Sequence, residues 1–382
     1  MEEMDTDDTE AKTRAVKKIK TVAAALGPER TRNELIPFIN ESTDDEDEVL
    51  LLLAEQLGFL ATMVGGAEHA ACLLEPLEAL ASVEETVVRE KATEAISLTI
   101  GVMADTSLTA VPLVSRLAAG DWFTSRISAC ALVAPAYAKA ANPERKNELR
   151  ALFAQLSADE TPMVKRAAAS NLGAFAKVVE KEVLLGEVLD IFKKQAQDDQ
   201  DSVRLLAIEA CVSFSELLDE GENEAHVLPI VHASVEDRSW RVRYNVAKQF
   251  HPLSAAMGIN ITMADMLGSF LNLLQDAEAE VRTAAAKNVA GYCHLVGVEP
   301  FVLEVVPALQ VLAQDTVQNV RSSLSEAVME LAAPFGQELA AVHLVPLIAR
   351  FLQVRPLASL FTYLLVPSFF LSFLLVPLLT RC

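Results

Sequence analysis

Basic charge is scarce in this chain of 382 residues: 32 Lys and Arg stand against 53 Asp and Glu, for a net charge of −21. A chain that grips nucleic acid needs a basic stripe, so non-specific nucleic-acid binding is disfavoured. The acidity serves solvation, and it also favours partners with basic patches. Aromatic residues make up only 6%, while apolar residues reach 52%. That composition suits helices packed with Ala, Leu and Val. Five cysteines (Cys72, Cys130, Cys211, Cys293, Cys382) form no Cys-x-x-Cys pair. The first four fall in predicted helices, where a free Cys is a small apolar residue, and an intracellular, reducing compartment is expected. The opening MEEMDTDDTE has no apolar run, so no signal or transit peptide is expected there.

Catalytic patterns are missing as well. The six histidines (His69, His226, His232, His251, His294, His343) show no metal-ligand spacing such as His-Glu-x-x-His. Cys293 and His294 are neighbours, and adjacent residues on a helix diverge by about 100°, too far for a dyad. No Gly-rich phosphate loop and no Gly-x-Ser-x-Gly occurs. The acidic run 44–48 lacks the central Gly of a calcium loop and reads as a solvated turn. Neither catalysis, nor a metal, nor a cofactor is expected.

What the chain has instead is a repeat, best seen in Asp198–Ala210, DDQDSVRLLAIEA. A marker valine recurs at Val164, Val203, Val242, Val281 and Val320, always 39 residues apart. Five residues before each stands Asp159, Asp198, Asp237, Asp276 or Asp315; directly after each stands Lys165, Arg204, Arg243, Arg282 or Arg321. Self-similarity at this period predicts an all-α fold, an α-solenoid (superhelix) of stacked helix pairs. The Asp straddles the turn into the second helix, where it can accept from that helix's exposed N–H groups. The cation can reach the Asp of the adjacent repeat, giving a ladder that holds the repeats in register. A small residue four beyond the marker (Ala92, Ala129, Ala168, Ala207, Ala285) lets helices approach closely.

Along the chain, residues 1–10 are expected to be disordered and a helix to run over 11–26, stopped by Gly27. The marker continues backwards to Val49 and Val88, with Asp44 before the first, and slips by two to Ser125-Arg126. Gly65, Gly258, Gly297 and Gly336 lie sixteen residues past their markers and close second helices. Pro37, Pro76, Pro112, Pro229, Pro307 and Pro346 lie twelve or thirteen before theirs, which predicts a bent first helix. The grid gives eight complete pairs and a half repeat at each end, over residues 11–353.

At residues 354–382 the pattern stops: Val354, Ser359 and Leu360 stand where Asp, marker and cation are due. From Leu357 to Thr380 there is no charge, and Leu-Leu-Val-Pro occurs twice. Three readings fit: an aberrant terminus from retained non-coding sequence or alternative splicing, a membrane anchor weakened by its two prolines, or a cap on the last repeat.

Binding is the remaining function, and the turns within each pair line one edge where a partner can read them. Three carry more than charge: Gly120-Asp121-Trp122-Phe123-Thr124, Thr161-Pro162-Met163 and Arg238-Ser239-Trp240-Arg241. Trp and Arg are enriched at interface hot spots; each Trp could equally pack onto its own repeat. With DEDEVLLLLAEQLG (45–58), LASVEETVVREKA (80–92), GDWFTSR (120–126), ETPMVKRAAASNLG (160–173), DQDSVRLLAIEACV (199–212) and SWRVRYNVAKQF (239–250), the chain resembles the HEAT-repeat scaffold (A, 65 kDa regulatory) subunit of type 2A serine/threonine protein phosphatase. The resemblance extends from about Thr13 to Arg350. It implies a non-catalytic, cytoplasmic and also nuclear scaffold that binds B-type regulatory subunits on its N-terminal turns and the catalytic subunit on the last five of fifteen repeats. Carried over, it marks Trp122, Phe123, Pro162, Met163, Arg166, Asp201, Ser202, Trp240 and Arg241 as partner-binding, with Glu84 and Glu85 in the preceding turn. The replacement of the repeat after 353 implies that catalytic-subunit binding is lost. The alternative is a membrane-tethered adaptor using residues 357–380.

Overall fold

The computed structural model describes residues 8–41 and 45–353, and every regular element among them is helical. The fold is an all-α solenoid of HEAT repeats. Asp44 and residues 354–382 lie outside the described residues, as do residues 1–7. Residues 8–10 are ordered, contrary to the expectation from sequence. Asp8 accepts from the Glu10 N–H (3.0 Å) and caps a helix Thr9–Val16, satisfying a donor the helix start leaves open. The helix expected over 11–26 is two, Thr9–Val16 and Ile19–Arg30, and Gly27 (φ 77°) kinks the second.

The described residues form two compact units, one up to residue 197 and the other from residue 198 on. In the first, the second helices of successive pairs are Asp47–Leu60, Thr86–Val102, Phe123–Lys139 and Pro162–Ala176. In the other they are Asp201–Leu217, Trp240–Met257, Ala279–Lys287 continuing in Val289–Val296, and Gln318–Glu330 continuing in Ala332–Leu339. The markers are buried in both units, and so are the small residues four further on. Residues at i and i+4 share a helix face, so the repeated Val and Ala form the face against which the neighbouring helix seats. Larger side chains close each core. Phe153, Phe175 and Tyr137 cluster in the first unit, with Phe153 and Phe175 4.5 Å apart between ring centroids. Phe250, Phe270 and Tyr292 do the same in the other.

Four first helices are bent by a feature other than proline, and two more break at Val227 and Val305, just before Pro229 and Pro307. One wide turn of π-helix interrupts each of the four, at Thr31–Leu35, Leu184–Val188, Thr262–Met266 and Ala340–Leu344. Pro37 and Pro346 follow such a turn, yet Asp190 and Gly268 stand at the corresponding place after the other two. The bend belongs to the repeat. Pro37, Pro229, Pro307 and Pro346 occupy the second position of the helix that restarts, where no N–H is required. Among the described residues, one run, Ala332–Phe351, is long and apolar enough to cross a membrane. It is broken by Gly336 (φ 66°) and by the wide turn at 340–344.

Candidate partner-binding ridge

The turns at Asp198, Asp237 and Asp276 are built by the same three contacts, and those at Asp159 and Asp315 share part of the set. The Asp side chain accepts the N–H two residues on: Asp159 from Thr161, Asp198 from Gln200, Asp237 from Ser239, Asp276 from Glu278 and Asp315 from Val317, at 2.8–2.9 Å. This donor belongs to the residue that opens the second helix, so the Asp shapes the turn rather than capping inside the helix. The Arg Nη1 donates to the carbonyl six residues back: Arg204 to Asp198 (2.8 Å), Arg243 to Asp237 (2.7 Å), Arg282 to Asp276 (2.6 Å) and Arg321 to Asp315 (2.5 Å). The rest of the guanidinium forks onto the next repeat's carboxylate. Arg204 holds Asp237 by 2.7 and 2.8 Å, Arg243 holds Asp276 by 2.6 and 3.0 Å, and Arg282 holds Asp315 by 2.6 and 3.1 Å. In the first unit, Arg126 does this for Asp159 at 2.9 and 3.4 Å. Lys165 and Asp198 occupy the same phase positions on either side of the unit boundary.

The electrostatics follow from this geometry. Burial pushes the Asp237 carboxyl up, but the hydrogen bonds from Arg204 and from the Ser239 N–H outweigh it and hold the group below the usual carboxylate range. Asp159 and Asp315 are held down in the same way. The Arg204, Arg243 and Arg282 guanidinium groups are pushed up by the carboxylates they hold.

On this frame the first unit displays apolar groups outward. In the first turn of Phe123–Lys139, Thr124 and Ser125 point inward: Thr124 Oγ1 donates to the Ser82 carbonyl (3.3 Å) and Ser125 Oγ to the Trp122 carbonyl (2.8 Å). Trp122 is therefore left 73% exposed and Phe123 exposed beside it, so Trp122 does not pack into its own repeat. One repeat on, Pro162 opens its helix and exposed Met163 receives Arg166 Nη1 on its sulfur at 3.9 Å. One repeat back, the Glu84 carbonyl accepts from Arg89, and Glu85 caps Thr86–Val102 through the Val87 N–H (3.5 Å). Exposed Val87, one residue before its marker as Met163 is before Val164, joins this set. That shared phase was the signal the sequence offered for it.

In the other unit the ridge is polar and concave. Asp201 accepts from Ser239 Oγ (2.8 Å) and faces Arg241 at 3.7 Å, while Arg238 Nη2 donates to the Asp199 carbonyl (3.0 Å). An open groove of ≈ 480 Å³ lies there, lined by Asp199, Gln200, Asp201, Ser202, Arg204 and Arg238, together with Ser239. Trp240 is 38% exposed because Tyr244 meets it edge-on, centroids 6.3 Å apart. The Arg241 guanidinium lies 5.5 Å from the Trp240 ring centroid, within cation–π range. Tyr244 was not among the sequence candidates, although four residues past Trp240 is the spacing that brings two helical side chains together.

Nothing in this arrangement resembles a reactive centre. Burial pushes the Cys130 and Cys211 thiols up to about 12 and Cys293 up to about 11, which suppresses the nucleophilic thiolate. Among the described residues, no three metal-ligating side chains come together.

Residues 260–336 match the family described as PPP2R1A-like HEAT repeat. Over 353 residues, 91% of the chain, the sequence is 48% identical to the beta isoform of the serine/threonine-protein phosphatase 2A 65 kDa regulatory A-subunit of Homo sapiens, covering 59% of that protein. The chain is thus similar to the phosphatase 2A 65 kDa regulatory A-subunits over nine-tenths of its own length. The protein phosphatase 2A scaffold subunit of Dictyostelium discoideum is 45% identical over 279 residues, 72% of this chain and 48% of that protein. The protein phosphatase PP2A regulatory A-subunit of Schizosaccharomyces pombe is 44% identical over 261 residues, 68% of this chain and 44% of its own length. The chain thus spans about half the length of these relatives. Among solved structures, the karyopherin Kap121p bound to the SUMO protease Ulp1p superposes with a TM-score of 0.67 at 14% identity, over 90% of this chain and 37% of that one. This likeness is one of fold alone.

Proposed function

We propose that the chain is a non-catalytic scaffold of a type 2A serine/threonine phosphatase that binds B-type regulatory subunits through its intra-repeat turns. The observation that supports it best is the outward Trp122, Phe123 and Met163 on a turn frame pinned by a two-pronged Arg126–Asp159 pair. Large apolar side chains exposed in adjacent turns are hot-spot material, and a fixed backbone lowers the entropy lost on docking. The chain performs no reaction; it raises the effective concentration of what it holds. The second half of the proposal concerns the catalytic subunit. From Val354 the next repeat lacks its Asp, marker and cation, so the ladder that would carry further turns is not continued there, and weak or no capture of that subunit is the expectation.

Co-purification with a purified B-type subunit, and in a separate trial with the catalytic subunit, tests both halves. Capture of the first and not the second is expected. Strong capture of the catalytic subunit overturns the second half, and failure to capture any B-type class overturns the first. The membrane-tethered alternative predicts that the chain resists carbonate extraction only while residues 357–380 are present.

A further inference from the structure

The exposed side of the second helices carries charge that the ridge does not use. Six residues past each marker stands an acid or a neutral residue, Glu55, Glu94, Ala131, Ser170, Glu209 and Glu326, in every repeat but two. The exceptions are neighbours, Lys248 and Lys287, 39 residues apart and both exposed. Neither has an ion-pair partner among the described residues. In a chain of net charge −21, two adjacent reversals of sign at one phase make a local basic patch. Lys287 ends Ala279–Lys287, where a cation suits the helix dipole. Lys248 stands inside Trp240–Met257 and has no such reason.

Cross-helix contacts hold the two lysines side by side. Asn288, directly after Lys287, donates from Nδ2 to the carbonyl of Ala247, directly before Lys248 (2.8 Å), and its Oδ1 accepts the His251 N–H (3.3 Å). His251 lays its half-buried ring against Gly291, where a Cβ would lie 2.3 Å from Cδ2. Three residues further along Val289–Val296 stands exposed His294, on the same side as Gly291. Burial and the neighbouring His294 push the His251 imidazole down from its ordinary value, as befits two rings at close quarters. Two ammonium groups and two imidazoles thus gather across one pair of packed helices, about 10 Å between axes.

We propose that Lys248, His251, Lys287 and His294 form a docking site for a short acidic segment of a partner protein, the lysines pairing with its carboxylates and the imidazole N–H groups donating to them. Charge complementarity selects that occupant. Ammonium groups are point charges that take carboxylates without demanding a fixed fork geometry, and each imidazole supplies at least one N–H donor. Glu209 and Glu326, at the same phase one repeat to either side, limit the patch to two repeats, about 20 Å. That length holds a few carboxylates of an extended peptide, at about 3.3 Å per residue. The acids at its ends repel a longer polyanion such as RNA. The site lies off the turns proposed for B-type subunits and does not depend on that reading.

Fluorescence anisotropy of a fluorescein-labelled hexaglutamate peptide, titrated with the full chain at low salt, tests it. Saturable binding is expected, weakened about tenfold or more by Lys248→Glu with Lys287→Glu and retained by Lys248→Arg with Lys287→Arg. Both side chains are exposed, so the helical spectrum is retained in each variant. Lys139→Glu with Lys194→Glu makes the same change in net charge at exposed positions of the first unit, and should alter binding by less than about twofold. An equal loss in that control would mean that the peptide senses net charge alone, and overturns the proposal. So does a failure of the peptide to bind. Displacement by an oligouridylate at lower concentration than by unlabelled peptide also overturns it, since the patch would then be a nucleic-acid site.

Discussion

Arg204 and Asp237, 33 residues apart in sequence, meet in a parallel two-pronged contact, Nε to Oδ2 at 2.7 Å and Nη2 to Oδ1 at 2.8 Å. A third bond, Arg204 Nη1 to the Asp198 carbonyl, ties the same guanidinium to the start of its own turn. One side chain thereby fixes both the turn it follows and the distance to the next repeat. The fork shape of Arg makes this possible, since a Lys offers only a point charge.

Removing it should be costly. The Arg204 side chain is only 8% exposed, so Arg204→Ala leaves a nearly buried carboxylate without its partner, a loss of about 3 kcal/mol. Arg116 is the contrast. It holds Glu78 at 2.5 Å but is 60% exposed, and Arg116→Ala should change stability by less than about 0.5 kcal/mol. Urea unfolding separates the two, with amide exchange showing that the Arg204 loss starts around residues 198–240. Equal effects would mean that the ladder contributes no more than surface pairing.

The carboxylates of the ladder also set the acid limit. Asp159, Asp237 and Asp315 are pushed up by burial and, more strongly in sum, held down by their Arg and N–H donors. Folding thus lowers their pKa, and near the ordinary value of 3.8 the unfolded chain binds more protons than the folded one. Their stabilisation is complete above that value and is lost as pH falls through the lower folded values. Glu180 follows the same course between 4.5 and about 2, held down by Lys146 and by the Tyr137 hydroxyl. The urea midpoint should fall on acidification below about pH 4.5, and the gap between the chain and its Asp237→Asn variant should narrow there. A gap that stays constant from pH 6 to pH 3 would show that Asp237 titrates alike in both states.

Close approach is required at Gly291. A Cβ built there would lie 2.3 Å from His251 Cδ2 and 2.8 Å from Cγ. The second distance involves the root of the ring, so a rotation of the imidazole alone does not relieve it. Gly291→Ala should destabilise by about 1–3 kcal/mol, and adding His251→Ala should recover much of that loss. Thermal unfolding of the single and double variants reads this directly. A double variant no better than the single would locate the clash elsewhere.

These cases show which parts of the fold were readable beforehand. The markers were, because Val203 or Val242 sits in the same packing slot each time and the slot recurs every 39 residues. The breaks at Val227 and Val305 were visible through Pro229 and Pro307, but the wide turns in other first helices were not. The wide turns recur beside Asp190 and Gly268, which carry no bend signal of their own, so repeat packing rather than local propensity selects them. At the ridge, residue type identified Trp122 and Trp240 alike. Only the fold separates them: Trp122 stands free, while Tyr244 covers part of Trp240.

That difference leads to opposed outcomes for the two tryptophans. Trp122 is 73% exposed, with Thr124 and Ser125 filling the inward side of its turn, so Trp122→Ala should leave stability within about 0.5 kcal/mol. If Trp122 anchors a B-type subunit, the same change should weaken binding by about 2 kcal/mol or more, roughly thirtyfold. Trp240→Ala strips the edge-on contact with Tyr244 and the ring beneath Arg241, so it should lower stability by about 1 kcal/mol as well as affect binding. Paired calorimetric titration and urea unfolding on the two variants give the four numbers. Binding unchanged by Trp122→Ala would remove the open turn from the interface, whatever Trp240 does.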